Sequence, residues 1–354
     1  MVWLIVQSVR PPLLTRPHQF QWSQAFMSGI RLIGSGYYLP EKILSNFDLE
    51  KSLDTTDEWI VKRTGIKERR IARADQATSD LALEASRMAM QKAGVGPDDL
   101  DMIIVATVTP DMCCPSAANF LQAKLRAMRA VSFDVTAACS GFCFVLDVAR
   151  QYLLTGAAKT VLVVGAEVMS RVQDWTDRAN CVLWGDGSGA VVLQAGDGAP
   201  RLVDTYVGAD GFNGQDLQVP GGGSLTTPIS HESVDAKKHT LRLFNAANSM
   251  RIAVQQFVHS VDVILGRNGL AYQDVAHFVP HQANIRMIQQ VAKRMDVDME
   301  RFVITIHKYA NISAASSAIA LAEAIDQGRI KPGDVVCLLV FGGGLTWGSA
   351  LFQF

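Results

Sequence analysis

Residues 130–154 read AVSFDVTAACSGFCFVLDVARQYLL. Ala130 to Val135 form a short apolar run with the character of a buried strand. Ser140 to Leu154 carry apolar side chains at helical spacing up to a stop at Gly156. Between them stand Thr136, Ala137 and Ala138, all small, and then Cys139. A buried strand that turns within a few residues into a helix is the unit of an α/β chain, whose crossover helices cover a mostly parallel sheet. The alternation continues in both directions. Strand-like runs recur at Met102 to Thr107, Thr160 to Gly165, His277 to Pro280 and Asp334 to Phe341. Helices are expected at Ser79 to Gly94, Asn284 to Met295 and Ser313 to Gln327, with Gly94 and Gly328 as further stops.

Two segments echo each other: LWGDGSGAVV at 183–192 and FGGGLTWGSA at 341–350. Each reads as a strand, a glycine turn and a second apolar strand, which predicts two similar fused halves, residues 27–198 and 199–354, with the boundary near Gly196 to Pro200. Residues 1–26, with Pro11, Pro12, Pro17 and several Gln, predict a poorly ordered extension, and Met27 is the expected start of patterned sequence. Gly211 to Lys238, rich in Gly, Ser and Thr, predicts a long flexible loop.

Composition narrows the partners. Of 354 residues, 49% are hydrophobic and 19% charged, which excludes extended disorder. Lys plus Arg total 33 against 34 Asp plus Glu, so no bulk field draws the chain to nucleic acid or to an anionic membrane. No apolar run reaches the roughly 18 to 20 residues of a membrane helix, and a soluble protein is expected. Cys113, Cys114, Cys139, Cys143, Cys181 and Cys337 lack the spacing of a zinc site or a disulfide scaffold. They read as reduced thiols of a cytoplasmic protein without a metal, and apart from Cys139 as packing residues.

Cys139 is placed differently, because a thiol at a helix start gains from the helix dipole and free backbone N–H groups, which favour the thiolate. His281, in PHQAN at 280–284, also follows a strand and can donate from one ring nitrogen while neutral. Asn311 lies in the loop HKYANIS at 307–313. Taken singly, each has a structural reading: a core thiol, a satisfied histidine, a helix-capping asparagine. Together with Gly342 to Gly344, however, all stand just beyond strand ends, where a parallel sheet converges on one crevice.

These residues, the segment GGGLTWGS at 342–349 and DEWIVKRTGI at 57–66 together resemble β-ketoacyl-acyl-carrier-protein synthase III from about Gly29 to Phe354. The resemblance implies a thiolase-like α/β fold of two fused βαβαβαββ halves in a five-layered α-β-α-β-α sandwich. It also implies a homodimer and the initiation of fatty acid synthesis without metal or redox cofactor. By the same resemblance Cys139 takes an acyl group from acyl-CoA. His281 and Asn311 hold the thioester oxygen of malonyl-acyl carrier protein as carbon dioxide leaves, and the N–H groups of Cys139 and Gly343 form the oxyanion hole. Trp59, Arg63, Arg178, Met250 and Ala253 contact CoA, Cys114 and Trp184 border the acyl pocket, and Arg251, Arg286, Lys293 and Arg294 offer a basic dock for the acidic carrier protein.

Three departures from the family bear on substrate. Ala310 stands where Gly often precedes the catalytic Asn, and costs roughly 1 to 2 kcal/mol if that position needs positive φ. Phe244 to Met250 replaces the usual pantetheine-contacting segment. Cys114 stands where a Phe often closes the acyl pocket across the dimer, so a primer longer than acetyl is expected, although the large Trp184 opposes it. Two further readings remain: an acyltransferase to an alcohol or amine, and a non-catalytic acyl-CoA or carrier-protein binding paralogue.

Overall fold

The structure, a computed structural model, describes residues 29–225 and 228–354, and the side chains of Ala246 and Ala247 are not part of that description. The expectations for residues 1–26 and for Ala246 lie outside the described residues. Nine strands form one sheet: β1 Ile30–Tyr38, β2 Met102–Ala106, β3 Val131–Val135, β4 Thr160–Val168, β5 Asp186–Ala195, β6 Arg201–Ala209, β7 His277–Pro280, β8 Val335–Gly342 and β9 Thr346–Gln353. Their order is β7-β8-β9-β6-β1-β5-β4-β2-β3. The longer helices are α1 Asp57–Thr64, α2 Thr78–Ala93, α3 Ala117–Leu125, α4 Gly141–Leu154, α5 Ala246–Arg267, α6 Ile285–Met295 and α7 Ala315–Asp326.

The order repeats itself. In the first half β3 and β2 are parallel, as are β2 and β4, while β5 and then β1 follow antiparallel. In the second half β7 and β8 are parallel, β9 and β6 follow antiparallel, and a parallel bridge from Phe278 to Phe302 stands in the place of β3. The halves join where Arg31 pairs with Arg201. One core lies between the strands and the central helices α4 and α7. Two others lie under the outer pairs, α2 with α3 and α5 with α6. This is the five-layered α-β-α-β-α thiolase arrangement, in which strands such as β4, buried along its entire length, read as continuous apolar runs.

The echo at 183–192 differs from its expected form. Cys181–Leu183 is a 3₁₀ turn, Trp184 only bridges Asn311, and β5 starts at Asp186 with Gly187 and Gly189 inside it. These glycines serve packing: a Cβ on Gly189 would stand 2.5 Å from the Ala318 carbonyl carbon of α7. Gly189→Ala is therefore expected to destabilise the fold by about 1–3 kcal/mol, measured by chemical denaturation. The stretch Gly211–Lys238 also has more structure than predicted. It contains a 3₁₀ turn at Gly211–Asp216, a short strand Leu217–Gln218 paired with Arg242–Leu243, and a helix at His231–Asp235 capped by Ser230. Cys113 and Cys114 are exposed on the loop between β2 and α3, not packed in a core.

Candidate active site

Two cavities meet at Cys139. One, of about 210 Å³, is lined by Met250, Ala253, His281, Asn284 and Asn311; the other, of about 240 Å³, by Val108, Met169, Val172, Leu241 and Ser313. Cys139, Trp184, Leu217 and Gly343 border both, so Trp184 and Leu217 form the partition beside the thiol. Asn180 fixes that wall, accepting from Trp184 Nε1 at 2.9 Å and donating to the Leu241 carbonyl at 2.5 Å.

Cys139 sits in the 3₁₀ turn Ala138–Ser140 that opens α4, with Ala138 at φ +46°. The glycine turn after β8 is stapled to it: Ser140 Oγ donates to the Thr346 carbonyl at 2.9 Å and Thr346 Oγ1 to the Ala137 carbonyl at 3.0 Å. A side chain at Gly342 would come within 2.7 Å of the Cys139 nitrogen, which is why the turn must be glycine there. The thiolate expected from the helix start is not the resting form. Burial pushes the Cys139 thiol up to about 12, against hydrogen bonds from Ser313 and the local backbone that pull it down.

His281 is 1% exposed and its Nδ1 is a buried nitrogen without a partner among the described residues. Burial pushes its pKa down to about 3, so the ring is neutral. The unfolded ring binds a proton below about 6.5 and the folded one only near 3, so this histidine withdraws stability as pH falls through that window. The midpoint of thermal unfolding is expected to drop between pH 6.5 and 4.5, and less so in His281→Asn.

Asn311 accepts the Ser313 N–H on Oδ1 at 2.8 Å, which sets its amide nitrogen as the donor left for the cavity. Its backbone is held on both sides, Asn311 N donating to the Leu183 carbonyl at 2.9 Å and Gly185 N to the Asn311 carbonyl at 3.0 Å. Ala310 has φ +59° and ψ −159°, a region that favours glycine, so the departure noted above stores strain of about 1–3 kcal/mol without displacing Asn311 from the cavity.

At the surface, half-buried Trp59 carries two guanidinium groups, Arg63 at 4.2 Å and Arg178 at 5.1 Å from the ring centroid. Arg178 also contacts Asp54 Oδ2 at 3.3 Å. Met250 and Ala253 line the first cavity, as does Ser249 of the divergent segment, which Asp216 Oδ2 holds at 3.2 Å. Arg251 and Arg286 are exposed neighbours of lining residues Met250 and Met287. Lys293 and Arg294 stand about two turns further along α6, away from the mouth. Trp184 borders the second cavity; the exposed Cys114 borders neither within one chain.

Several site residues carry no clear mark in the sequence. Ser313 is expected only as a helix start, yet it has φ +45° and lines the second cavity together with Cys139. Glu167 is next to last in β4, beyond the apolar run Thr160 to Gly165 expected from sequence, and no period marks it. Leu217 lies in the stretch Gly211 to Lys238 expected as a loop and Leu241 just beyond it; being apolar is their one signal in the sequence. Among the described residues no group of three or more His, Cys, Asp or Glu is arranged to hold a metal ion.

Comparison with known proteins bears on the family and the fold. Residues 133–211 match the family model for 3-oxoacyl-[acyl-carrier-protein (ACP)] synthase III, and residues 265–354 match its C-terminal model. The chain is 48% identical over 322 residues to a beta-ketoacyl-[acyl-carrier-protein] synthase III of Caldanaerobacter subterraneus subsp. tengcongensis, covering 91% of this chain and 97% of that one. It is 45% identical to the enzyme of the same name from Aliarcobacter butzleri, covering 90% and 96%. The crystal structure of 3-oxoacyl-[acyl-carrier-protein] synthase III from Aquifex aeolicus VF5 superposes with a TM-score of 0.85 at 40% identity, covering 92% of this chain and all of that one. With near-full-length relatives at this identity and the same fold, the chain belongs to the β-ketoacyl-acyl-carrier-protein synthase III family.

Proposed function

We propose that this chain carries out a decarboxylating Claisen condensation, joining an acyl group from acyl-CoA to malonyl-acyl carrier protein to give 3-oxoacyl-carrier protein, the step that initiates fatty acid synthesis. The observation that carries the reading is the meeting of two cavities at one buried thiol, with two neutral donors, His281 and Asn311, on the wall of the first. In this reading Cys139 attacks the acyl-CoA carbonyl, and the N–H groups of Cys139 and Gly343 receive the oxyanion. CoA leaves through the first cavity, and the acyl chain lies in the second. Malonyl-carrier protein then enters by the same route, and His281 and the Asn311 amide stabilise its thioester oxygen as carbon dioxide departs. A neutral imidazole serves here as a hydrogen-bond donor, worth roughly 3–4 kcal/mol when aimed at developing charge.

Trp59, Arg63 and Arg178 form the exposed cationic and aromatic platform on which an adenine ring and phosphates would rest, and Met250 and Ala253 the pantetheine wall. Arg251 and Arg286 are the nearer part of the proposed carrier-protein dock, Lys293 and Arg294 the further part. The second cavity, apolar and about 240 Å³, exceeds what an acetyl methyl fills and supports a longer primer. A homodimer would pair the β3 edges of two copies: among the described residues β3 bonds on one side only, to β2, and Val131 on it is 59% exposed. Cys114, on the nearby tip, would then reach the partner's acyl pocket. The division into residues 27–198 and 199–354 rests on the repeated strand order, and a cytoplasmic location rests on the cysteine pattern.

The test is intact mass after incubation with acyl-CoAs from acetyl to dodecanoyl, followed by malonyl-carrier protein. An adduct on one thiol, then carbon dioxide and 3-oxoacyl-carrier protein, is the expected course. A strict preference for acetyl would overturn the longer primer. Transfer to an alcohol or amine without carbon dioxide would favour the acyltransferase reading, against which the two donors facing the cavity already speak.

A further inference from the structure

Asn180 is 3% exposed, and both polar ends of its side chain go to cavity walls. Its Oδ1 accepts from Trp184 Nε1 at 2.9 Å and its Nδ2 donates to the Leu241 carbonyl at 2.5 Å. One partner is a donor and the other an acceptor, so the amide can sit only one way round. The backbone of Trp184 is held separately. It bridges Asn311, with Asn311 N on the Leu183 carbonyl and Gly185 N on the Asn311 carbonyl. What Asn180 fixes is therefore the direction of the indole ring, not the course of the chain.

That ring stands where a bound acyl group begins. Cys139, Trp184, Leu217 and Gly343 border both cavities, and Gly343 brings no side chain, so Trp184 and Leu217 set the width of the passage at the thiol. Leu217 lies against the glycine turn, where a Cβ on Gly343 would stand 3.4 Å from Leu217 Cδ2. The second and third carbons of an acyl group on Cys139 are two and three bonds from the sulfur, at about 1.5 Å per bond, so they lie beside these side chains whatever the chain length. Val108, Met169, Val172 and Leu241 border the second cavity alone and are left for the carbons beyond. As a wall shared by both cavities, Trp184 is a side of the passage and not its far end. Its bulk, expected from sequence to oppose a longer primer, bears on width.

We propose that Asn180 is a positioning residue for primer selection: by holding the Trp184 ring at the junction of the cavities it keeps the passage beside the thiol narrow, so that straight acyl groups are taken and those branched at the second or third carbon are rejected. The inference rests on the acyl-enzyme reading above and adds to it the shape of the primer, apart from its length. A methyl branch at either carbon needs volume that the indole occupies. Without the Asn180 acceptor the buried N–H has no partner, and the ring must turn to find one, which opens the partition to the branch. Leu241 loses its bond to Asn180 as well, but its N–H still donates to the Val172 carbonyl at 2.7 Å. The outer part of the second cavity keeps that tie, so selection by length changes less than selection by branching.

The experiment compares acylation rates of the full-length protein by rapid-quench intact mass, using butanoyl-CoA, its 2-methyl and 3-methyl derivatives, and octanoyl-CoA. Wild type is expected to favour the straight butanoyl group over either branched one by about 10-fold or more, the discrimination one methyl group provides in a fitted apolar pocket. Asn180→Leu, similar in volume but without either hydrogen bond, should lower that ratio about 10-fold while the octanoyl-to-butanoyl ratio moves much less. Trp184→Phe keeps a ring but has no N–H. On that background Asn180→Leu should change the branch ratio little, because the bond it would break is already absent. A fall in all rates together with the ratios unmoved would mark Asn180 as structural only and overturn the proposal, as would an equal change on both backgrounds. Wild type that accepts branched and straight primers alike overturns it even if the variants fail to fold. No acyl-enzyme from any acyl-CoA would instead overturn the proposed function itself, a separate outcome.

Discussion

Replacing Cys139 by Ala is expected to abolish both the acyl adduct and the condensed product while leaving malonyl-carrier protein decarboxylation measurable. The thiol is the acyl acceptor in the proposed reaction, and no other cysteine borders either cavity at the point where they meet. Its loss removes the covalent intermediate that divides one condensation into two easier steps. The fold should survive. Cys139 is small, and Ala138 and Ala137 already hold the turn, so the loss in stability should stay near 1–2 kcal/mol. His281 and Asn311 keep their places in Cys139→Ala, because their backbones bond to other segments: His281 N donates to the Leu339 carbonyl at 2.8 Å and Asn311 N to the Leu183 carbonyl at 2.9 Å. They can therefore still stabilise an enolate that has no acyl group to attack. Intact mass reports the adduct, labelled carbon dioxide the decarboxylation, and product analysis the condensation. A variant that still forms product would remove Cys139 from the proposed role.

Much of this arrangement was legible in the residues. Strands β2, β4 and β7 announce themselves as apolar runs, and helix ends carry their own marks, as with Gly94 and Gly156, both in the left-handed conformation just after α2 and α4. Cys139 and His281 each follow a strand, and the repeated topology brings these ends together, whereas Asn311, expected beyond a strand, follows the short helix Ile306–Tyr309. What stayed hidden was set by tertiary contact. Ala138, Ala310 and Ser313 adopt positive φ without being glycine, so no letter marks the turns that aim Cys139 and Asn311. Glu167 breaks no period in a strand buried on both faces, and only the loop at 107–109, folded over its carboxyl, explains it. The strand at 183–185 was mistaken because glycines that admit α7 look the same in sequence as glycines that make a turn. The thiolate expectation failed for a related reason: the helix start is visible in sequence, but the burial that outweighs it is not.

Removing the donors should divide the reaction the opposite way. His281→Ala and Asn311→Ala are expected to form the acyl-enzyme at near wild-type extent, yet to lose decarboxylation and condensation by about 10²–10³-fold each, the cost of one donor aimed at a developing oxyanion. The two effects should not add, since both donors serve one oxygen and the second has less to lose once the first is gone. Asn311→Ala has a second consequence, because it also releases the Ser313 N–H, bonded at 2.8 Å, and so disturbs the loop beside the thiol. Asn311→Asp separates the two: the carboxylate keeps an acceptor for Ser313 but offers no donor, and it sets negative charge where the enolate must form. Its acylation should match wild type while its condensation falls at least as far as in Asn311→Ala. Because burial holds His281 neutral down to about 3, loss of condensation in the wild type between pH 8 and 5 should not follow an imidazole titration. Condensation that survives in Asn311→Asp, or acylation that collapses with it, would show that the cavity amide orders the loop and does not act on the substrate oxygen.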